Sequence, residues 1–324
     1  MISSLAAVLL ASSVFAAEPA APKASILPGQ DVSLKTEDGW TLTGKYLPSG
    51  AAPQTFILLH GKGQRKEYWI RLGAALEKAG YGYCGLDLRG HGQSAIGPDG
   101  QPFPYKKFKA LPQGKGPNDY EDMTRDIAAA VAWLAADGVP EETIGVIGTD
   151  VGGSVALKYA ALHPKVPLVV MLSPGTHYEE VLTPNAMRFY KNRPILLMYS
   201  DADKFSSRDA PVLYAFARMA AGDKNATLIS VPKLPGVRLP QNRAVLAQIV
   251  AWLQSPVKSD QPLISTTTVP GEPAEPDEPG GVPPEENPFE PKTAPEIPGR
   301  PAPRTQPQPR PAPTTPSPDE KYQD

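Results

Sequence analysis

Between about residue 31 and residue 254 the chain alternates short β-rich apolar runs with longer stretches whose apolar positions recur every three or four residues. Residues 32–35 and 41–47 alternate polar and apolar around Glu37, Asp38 and Gly39, the pattern of an antiparallel hairpin. Residues 56–59 are uninterruptedly apolar, which marks a strand covered on both faces. Helical spacing follows over 69–78, a strand over 81–86, and a helix with an alanine-rich face over 122–137. The same reading gives a strand at 143–147, a helix at 152–162, strands at 168–172 and 195–199, a helix at 210–221, a strand at 227–231 and a last helix at 243–253. Two antiparallel strands leading into repeated β-α units predict an α/β fold: a mostly parallel sheet with helices on both faces and no large cap domain. On such a sheet ligands bind beyond the carboxyl ends of the strands, so the loops after each strand are where chemistry belongs.

Neither end of the chain continues this pattern. Residues 5–15 are apolar, too few to span a bilayer, and lead into Ala16 and Ala17. That is the form of a cleaved leader over 1–16 followed by a linker over 17–30, although no Lys or Arg precedes the apolar run. The expected location is export, to a periplasm or to the extracellular space. Residues 256–324 hold 20 of the 40 prolines, with 12 acids against 6 bases. So much proline removes backbone donors, and the few large apolar side chains cannot offset the entropy of ordering. The expectation is a disordered tail over 255–324 and one globular domain over 31–254.

The tail has two readings. As an extended spacer it reaches up to roughly 200 Å. As a recognition element, its last part carries Arg300, Arg304 and Arg310 among prolines and suits an aromatic groove or an anionic polymer. No concentrated basic patch points to nucleic acid, and no other stretch is long and apolar enough to cross a membrane. The single cysteine, Cys84, excludes an intramolecular disulfide and sits in a strand pattern, where it reads as a small buried hydrophobe.

Three loops carry the candidate chemistry. His60-Gly61-Lys62-Gly63 follows the third strand, Arg89-Gly90-His91-Gly92 the fourth, and Gly148-Thr149-Asp150-Val151-Gly152 the fifth. In this order and spacing they resemble the α/β-hydrolase superfamily, in particular its monoacylglycerol-lipase and serine-aminopeptidase-like branch, over about residues 31–253. The resemblance implies an oxyanion hole from the backbone N–H groups of Lys62 and Val151. It implies a nucleophile at 150, an acid after the seventh strand at Asp203 (Asp201 being its neighbour), and a histidine base after the last strand. It also makes His60 and His91 loop residues rather than catalysts. The glycines at 148, 152 and 153 let strand and helix approach at a tight turn.

The sequence departs from that pattern at two positions. Asp150 stands where the G-x-S-x-G motif has serine, and residues 231–240 contain no histidine. A carboxylate has no proton for a base to remove, and at a helix N-terminus the dipole favours its ionised form. Ordinary serine-hydrolase turnover is therefore not expected, and the favoured reading is a degenerate member that binds a small molecule or an envelope component, or serves as a scaffold. The alternative is a hydrolase of carboxylic esters, epoxides or related substrates with Asp150 as nucleophile, as in haloalkane dehalogenases and epoxide hydrolases. His177, after the sixth strand, is then the substitute base. His163 at a helix end reads as a surface residue, and Ser154 as a packing or capping one. Asp150, Asp203, Asp201 and His177 together offer an oxygen-rich set of the kind that suits Ca²⁺ or Mg²⁺, but no close metal-ligand spacing supports such a site. No cofactor is expected.

Overall fold

The computed structural model describes residues 26–256. The expected leader and nearly all of the proline-rich segment lie outside the described residues. Eight strands form one sheet in the order β1-β2-β4-β3-β5-β6-β7-β8. They are β1 (Gln30–Lys35), β2 (Thr41–Leu47), β3 (Thr55–Leu59), β4 (Gly82–Leu86), β5 (Ile144–Thr149), β6 (Val169–Leu172), β7 (Ile195–Ser200) and β8 (Ala226–Val231). β1 and β2 pair antiparallel, with Val32 opposite Gly44, and β2 pairs antiparallel with β4. Every pairing from β4 through β3 to β8 is parallel. The hairpin turn is closed by Thr36, whose backbone N–H donates to the Trp40 carbonyl and whose hydroxyl accepts from the Trp40 N–H at 2.9 Å.

Alternate residues of the central strands feed two cores. Ile57 and Leu59 of β3 face one, together with α2 (Thr124–Ala136), α3 (Asp150–Leu162) and α5 (Lys204–Ala221). Phe56 and Leu58 face the other, closed by α1 (Ile70–Lys78) and α6 (Arg243–Gln254). The period-2 alternation that sends neighbours to opposite faces is thus filled with apolar side chains on both sides, as parallel sheets require. Among the described residues, no helix is long and apolar enough to cross a membrane.

Three departures from the sequence reading have physical causes. α5 begins at Lys204 rather than 210, because the Asp203 carboxylate caps it by accepting the N–H groups of Phe205 and Ser206 at 3.1 Å each. Pro211 consequently lies inside the helix instead of opening it. α3 starts at Asp150 itself, two residues earlier than the glycines suggested. Between β6 and β7 a short helix not expected from periodicity, α4 (Pro184–Tyr190), buries Met187 and Tyr190 against the first core. It is the one α-helix between those strands among the described residues, so no large cap covers the sheet there. The long connection from β4 to α2 is irregular, held by 3-10 turns and two isolated bridges, Ile96 with Pro102 and Ala110 with Asn118.

Candidate functional site at the strand-to-helix elbow

The site is assembled where β5 turns into α3. Thr149 is extended (φ −120°, ψ 147°) and Asp150 takes φ 49°, a left-handed conformation tolerated by Asp and Asn better than by most residues. The turn is tight enough that a Cβ on Gly148 would lie 2.5 Å from the Gly152 carbonyl oxygen, and one on Gly152 would strike the carbonyls of Leu59 and His60. Glycine is required at both positions for backbone to approach backbone. The Asp150 carboxyl is thereby lifted above the sheet and set against Gly61, where any side chain would collide with it.

Lys62 and Val151 flank this point. The Val151 side chain is in the core, and its N–H is in the first turn of α3, where no preceding helical carbonyl can accept it. The Lys62 ammonium crosses to the Glu179 carboxylate at 2.9 Å and sits 5.7 Å from the Tyr120 ring, tying the loop after β3 to the one after β6.

Asp203, two strands away at the end of β7, is the other carboxyl of the site. Besides capping α5 it faces the loop after β8: a Cβ on Gly236 would lie 2.5 Å from Asp203 Oδ2 and 2.7 Å from Ser173 Oγ. Ser173, at the end of the intervening β6, has φ 47°, and its buried hydroxyl has no hydrogen-bond partner among the described residues. Burial first, and then the charge of Asp203, push the Asp150 carboxyl from its ordinary 3.8 up to about 7. Both causes act against the end of α3, whose dipole favours the ionised form. Neither Asp150 nor Asp203 forms an ion pair among the described residues.

The four histidines of the chain all lie among the described residues. His60 is fully buried; its Nε2 accepts the Leu88 N–H at 3.1 Å, so Nδ1 carries the proton and donates to the Gly61 carbonyl at 2.8 Å. His91 donates from Nδ1 to the Arg89 carbonyl at 2.9 Å and stacks on Tyr105 with centroids 4.5 Å apart. Burial holds His60 down at about 4 and His91 at about 3, so both are neutral struts of their loops. His163 stacks on Tyr159 at 3.8 Å, at the far end of α3. His177 places Nδ1 2.8 Å from Thr176 Oγ1 and 3.8 Å from Asp209 Oδ2, with its side chain 47% exposed. Its polar contacts are therefore with Thr176 and Asp209 rather than with Asp150.

The remaining sequence candidates have plain surroundings. Asp201 is exposed and accepts the Lys233 N–H at 2.7 Å. The Ser154 hydroxyl donates to the Asp150 carbonyl at 3.4 Å, a bond within the helix. Among the described residues no group of three or more His, Cys, Asp or Glu is gathered as a metal ion requires.

Two residues of the crevice carried no motif. Tyr178 stands on the 3-10 turn after β6, and burial together with the charges of Asp150, Asp203 and Asp209 pushes its phenol far up. Tyr68 lies just before α1; burial and then Asp150 push its phenol up, and its hydroxyl donates to the Val237 carbonyl at 3.0 Å. The elbow thus gathers two carboxyls, two phenols and a buried serine hydroxyl, with no imidazole bonded to either carboxyl.

Comparison with known proteins bears on the whole of this frame. The chain is 28% identical over 201 residues to an uncharacterized protein of Mycobacterium tuberculosis, a match covering 61% of this chain and 64% of that one. It therefore spans less than two thirds of that curated relative's length. Among solved structures, the esterase Pf2001 of Pyrococcus furiosus superposes with a TM-score of 0.53 at 22% identity, over 70% of this chain and 92% of that one. The α/β hydrolase GrgF from Penicillium sp. sh18 gives 0.57 at 14%, over 71% and 99%. At these identities the structures speak for the fold alone. A family profile described as the alpha/beta hydrolase fold matches residues 54–241, from β3 to the turn before α6, and with the strand order and the elbow at Asp150 it settles the relationship: the chain belongs to the α/β-hydrolase family.

Proposed function

We propose that this protein is a non-hydrolytic member of its family, exported from the cell, whose elbow crevice binds a small molecule or an envelope component without turning it over. The observation that carries this reading is the absence of a bridging base: Asp150 lies within reach of the charge of Asp203, while all four histidine rings are engaged elsewhere. Acyl transfer of the serine type needs a neutral hydroxyl and a group to take its proton. A carboxyl at 150 has no such proton to hand over when ionised, and when protonated it is no nucleophile. A positioned general base is worth about 10²–10⁴ in rate, and here neither it nor the hydroxyl it would activate is in place. Export is supported by the apolar run over 5–15 with small residues after it.

A second reading is kept alive by one feature, the left-handed Asp150 with its carboxyl set at Gly61 beside the first turn of α3. In this reading Asp150 attacks carbon, expels halide or opens an epoxide, and forms an ester. Without an activated water that ester persists. Incubation with p-nitrophenyl esters, epoxides and haloalkanes, followed by intact-mass measurement, separates the two. The binding reading expects no turnover and an unmodified mass. Turnover lost in Asp150→Ala would sink it, and a stable adduct on Asp150 without turnover would assign a half-reaction instead.

A further inference from the structure

A cavity of about 320 Å³ lies away from the elbow, where the β1–β2 turn meets the irregular connection after β4, and none of the elbow residues line it. Its walls include three aromatic rings brought together from distant parts of the chain. Trp40 lies 6.0 Å from Phe103 and 6.4 Å from Phe108, at interplanar angles of 63° and 79°, and the two phenylalanines are 5.7 Å apart. An edge-to-face pair covers one face of one ring and leaves the other faces of the two rings, and the face of an aromatic ring is the negative end of its quadrupole. One of these rings already attracts a cation within the fold, since the Arg89 guanidinium carbon is 5.6 Å from the Trp40 centroid.

Carboxylates surround the rings. Asp38 is neutralised by Arg89 at 2.7 Å and Arg125 at 3.1 Å, and Asp122 shares Arg125 at 3.1 Å. Asp99 and Asp119 have no such partner: they accept the backbone N–H groups of Gln101 at 3.0 Å and Lys109 at 2.7 Å, and neither forms an ion pair among the described residues. The cavity therefore combines an aromatic wall with a net negative lining, in which Asp38, Asp99, Asp119 and Asp122 outnumber the single base, Arg89.

We infer that this cavity is a second binding site and that it takes a small organic cation of the methylated-ammonium class. Such a group spreads one positive charge over an apolar surface, which the ring faces and the two unpaired carboxylates match together. Its size suits the volume, which lies at the lower end of small-molecule sites at roughly 300–1,000 Å³. A metal ion does not fit, because it needs a shell of converging oxygens that the aromatic wall does not offer.

The test is titration calorimetry of the full chain with choline and tetramethylammonium, against 3,3-dimethylbutan-1-ol as the uncharged counterpart of choline. The expected result is saturable binding of both cations, about tenfold tighter than the alcohol, and weakened about tenfold by Phe103→Leu and by Asp119→Asn. Asp150→Asn should leave it unchanged. Equal affinity for the alcohol, or no saturable binding of either cation, would overturn the assignment. So would tight binding of an arginine-bearing proline-rich peptide that choline does not displace, which would make the surface a peptide groove. Should Phe103→Leu lose its fold, Asp99→Asn and Asp119→Asn on the rim decide the matter alone.

Discussion

Replacing Asp150 by Asn removes the charge from the elbow while keeping a side chain that tolerates φ 49°. No hydrogen bond to the Asp150 carboxyl is present among the described residues, so the substitution breaks none. What it removes is a titration. In the unfolded chain the carboxyl has an ordinary value near 3.8, whereas in the folded protein burial and Asp203 push it up to about 7. Below pH 3.8 both states hold the proton and the residue contributes no pH dependence. Between those values the native state keeps a proton that the unfolded state has released, so stability falls as pH rises. Above pH 7 the charge is carried in the fold and the penalty is complete. Three tenfold steps at 1.36 kcal/mol each give a ceiling of about 4 kcal/mol. Asp150 still shows an edge to solvent, and screening there leaves roughly half, about 2 kcal/mol.

The assay is urea denaturation of the native protein and Asp150→Asn at a series of pH values from 4 to 9. The two should be nearly equal in stability at pH 4. The variant should gain steadily and reach a plateau about 2 kcal/mol above the parent by pH 8, which at a slope of about 3 kcal/mol/M moves the midpoint by roughly 0.7 M. A difference that does not change with pH, or a variant less stable than the parent at pH 8, would refute the electrostatic account of the elbow.

Two other outcomes follow from the same geometry. Asp203→Ala should destabilise the fold by about 1 kcal/mol through loss of the α5 cap, measured as a thermal shift, while Asp203→Asn should keep the cap and lower the Asp150 pKa by removing its neighbouring charge. Cys84 is buried in β4 and burial pushes its thiol up to about 12, so it should resist thiol reagents at pH 8 in the native protein and react at once in denaturant.

The sheet was legible in the sequence because its strands are covered on both sides: runs such as residues 56–59 have no polar face to disguise them. The elbow was legible because three glycines at fixed spacing have one structural use. α4 was not, since seven residues give less than two turns of periodicity and its burial comes from contacts with α3 and α5 that no local pattern records. The start of α5 was not legible, because Pro211 is a strong local stop, whereas the helix opens seven residues earlier on the Asp203 cap. Tyr68, Ser173 with Tyr178, and Gly236 come to the elbow from three separate loops, and only the order of the strands brings those loops to one edge. The same holds for Trp40 and Phe108, which lie far apart in sequence and meet through the long connection after β4.

The elbow and its neighbouring motifs are informative about fold for a reason that does not depend on catalysis. Gly148 and Gly152 are demanded by the approach of backbone to backbone, whatever side chain stands at 150. Gly92 is demanded by Asp87, whose carboxylate occupies the space its Cβ would need while accepting the N–H groups of Lys66 and Gln93 and pairing with the buried Lys66 ammonium at 2.7 Å. His60 and His91 pin loop carbonyls as neutral rings. Each of these residues stays useful to the fold if the reaction is lost, because breaking a buried pair such as Lys66 with Asp87 costs about 3–5 kcal/mol and packing against glycine cannot be relaxed cheaply. These residues therefore speak for the scaffold, whatever chemistry the elbow carries out. The chemistry rests on the few positions that the scaffold does not need: at 150 this chain has a carboxyl, and the residue set against Asp203 from the loop after β8 is a glycine, Gly236.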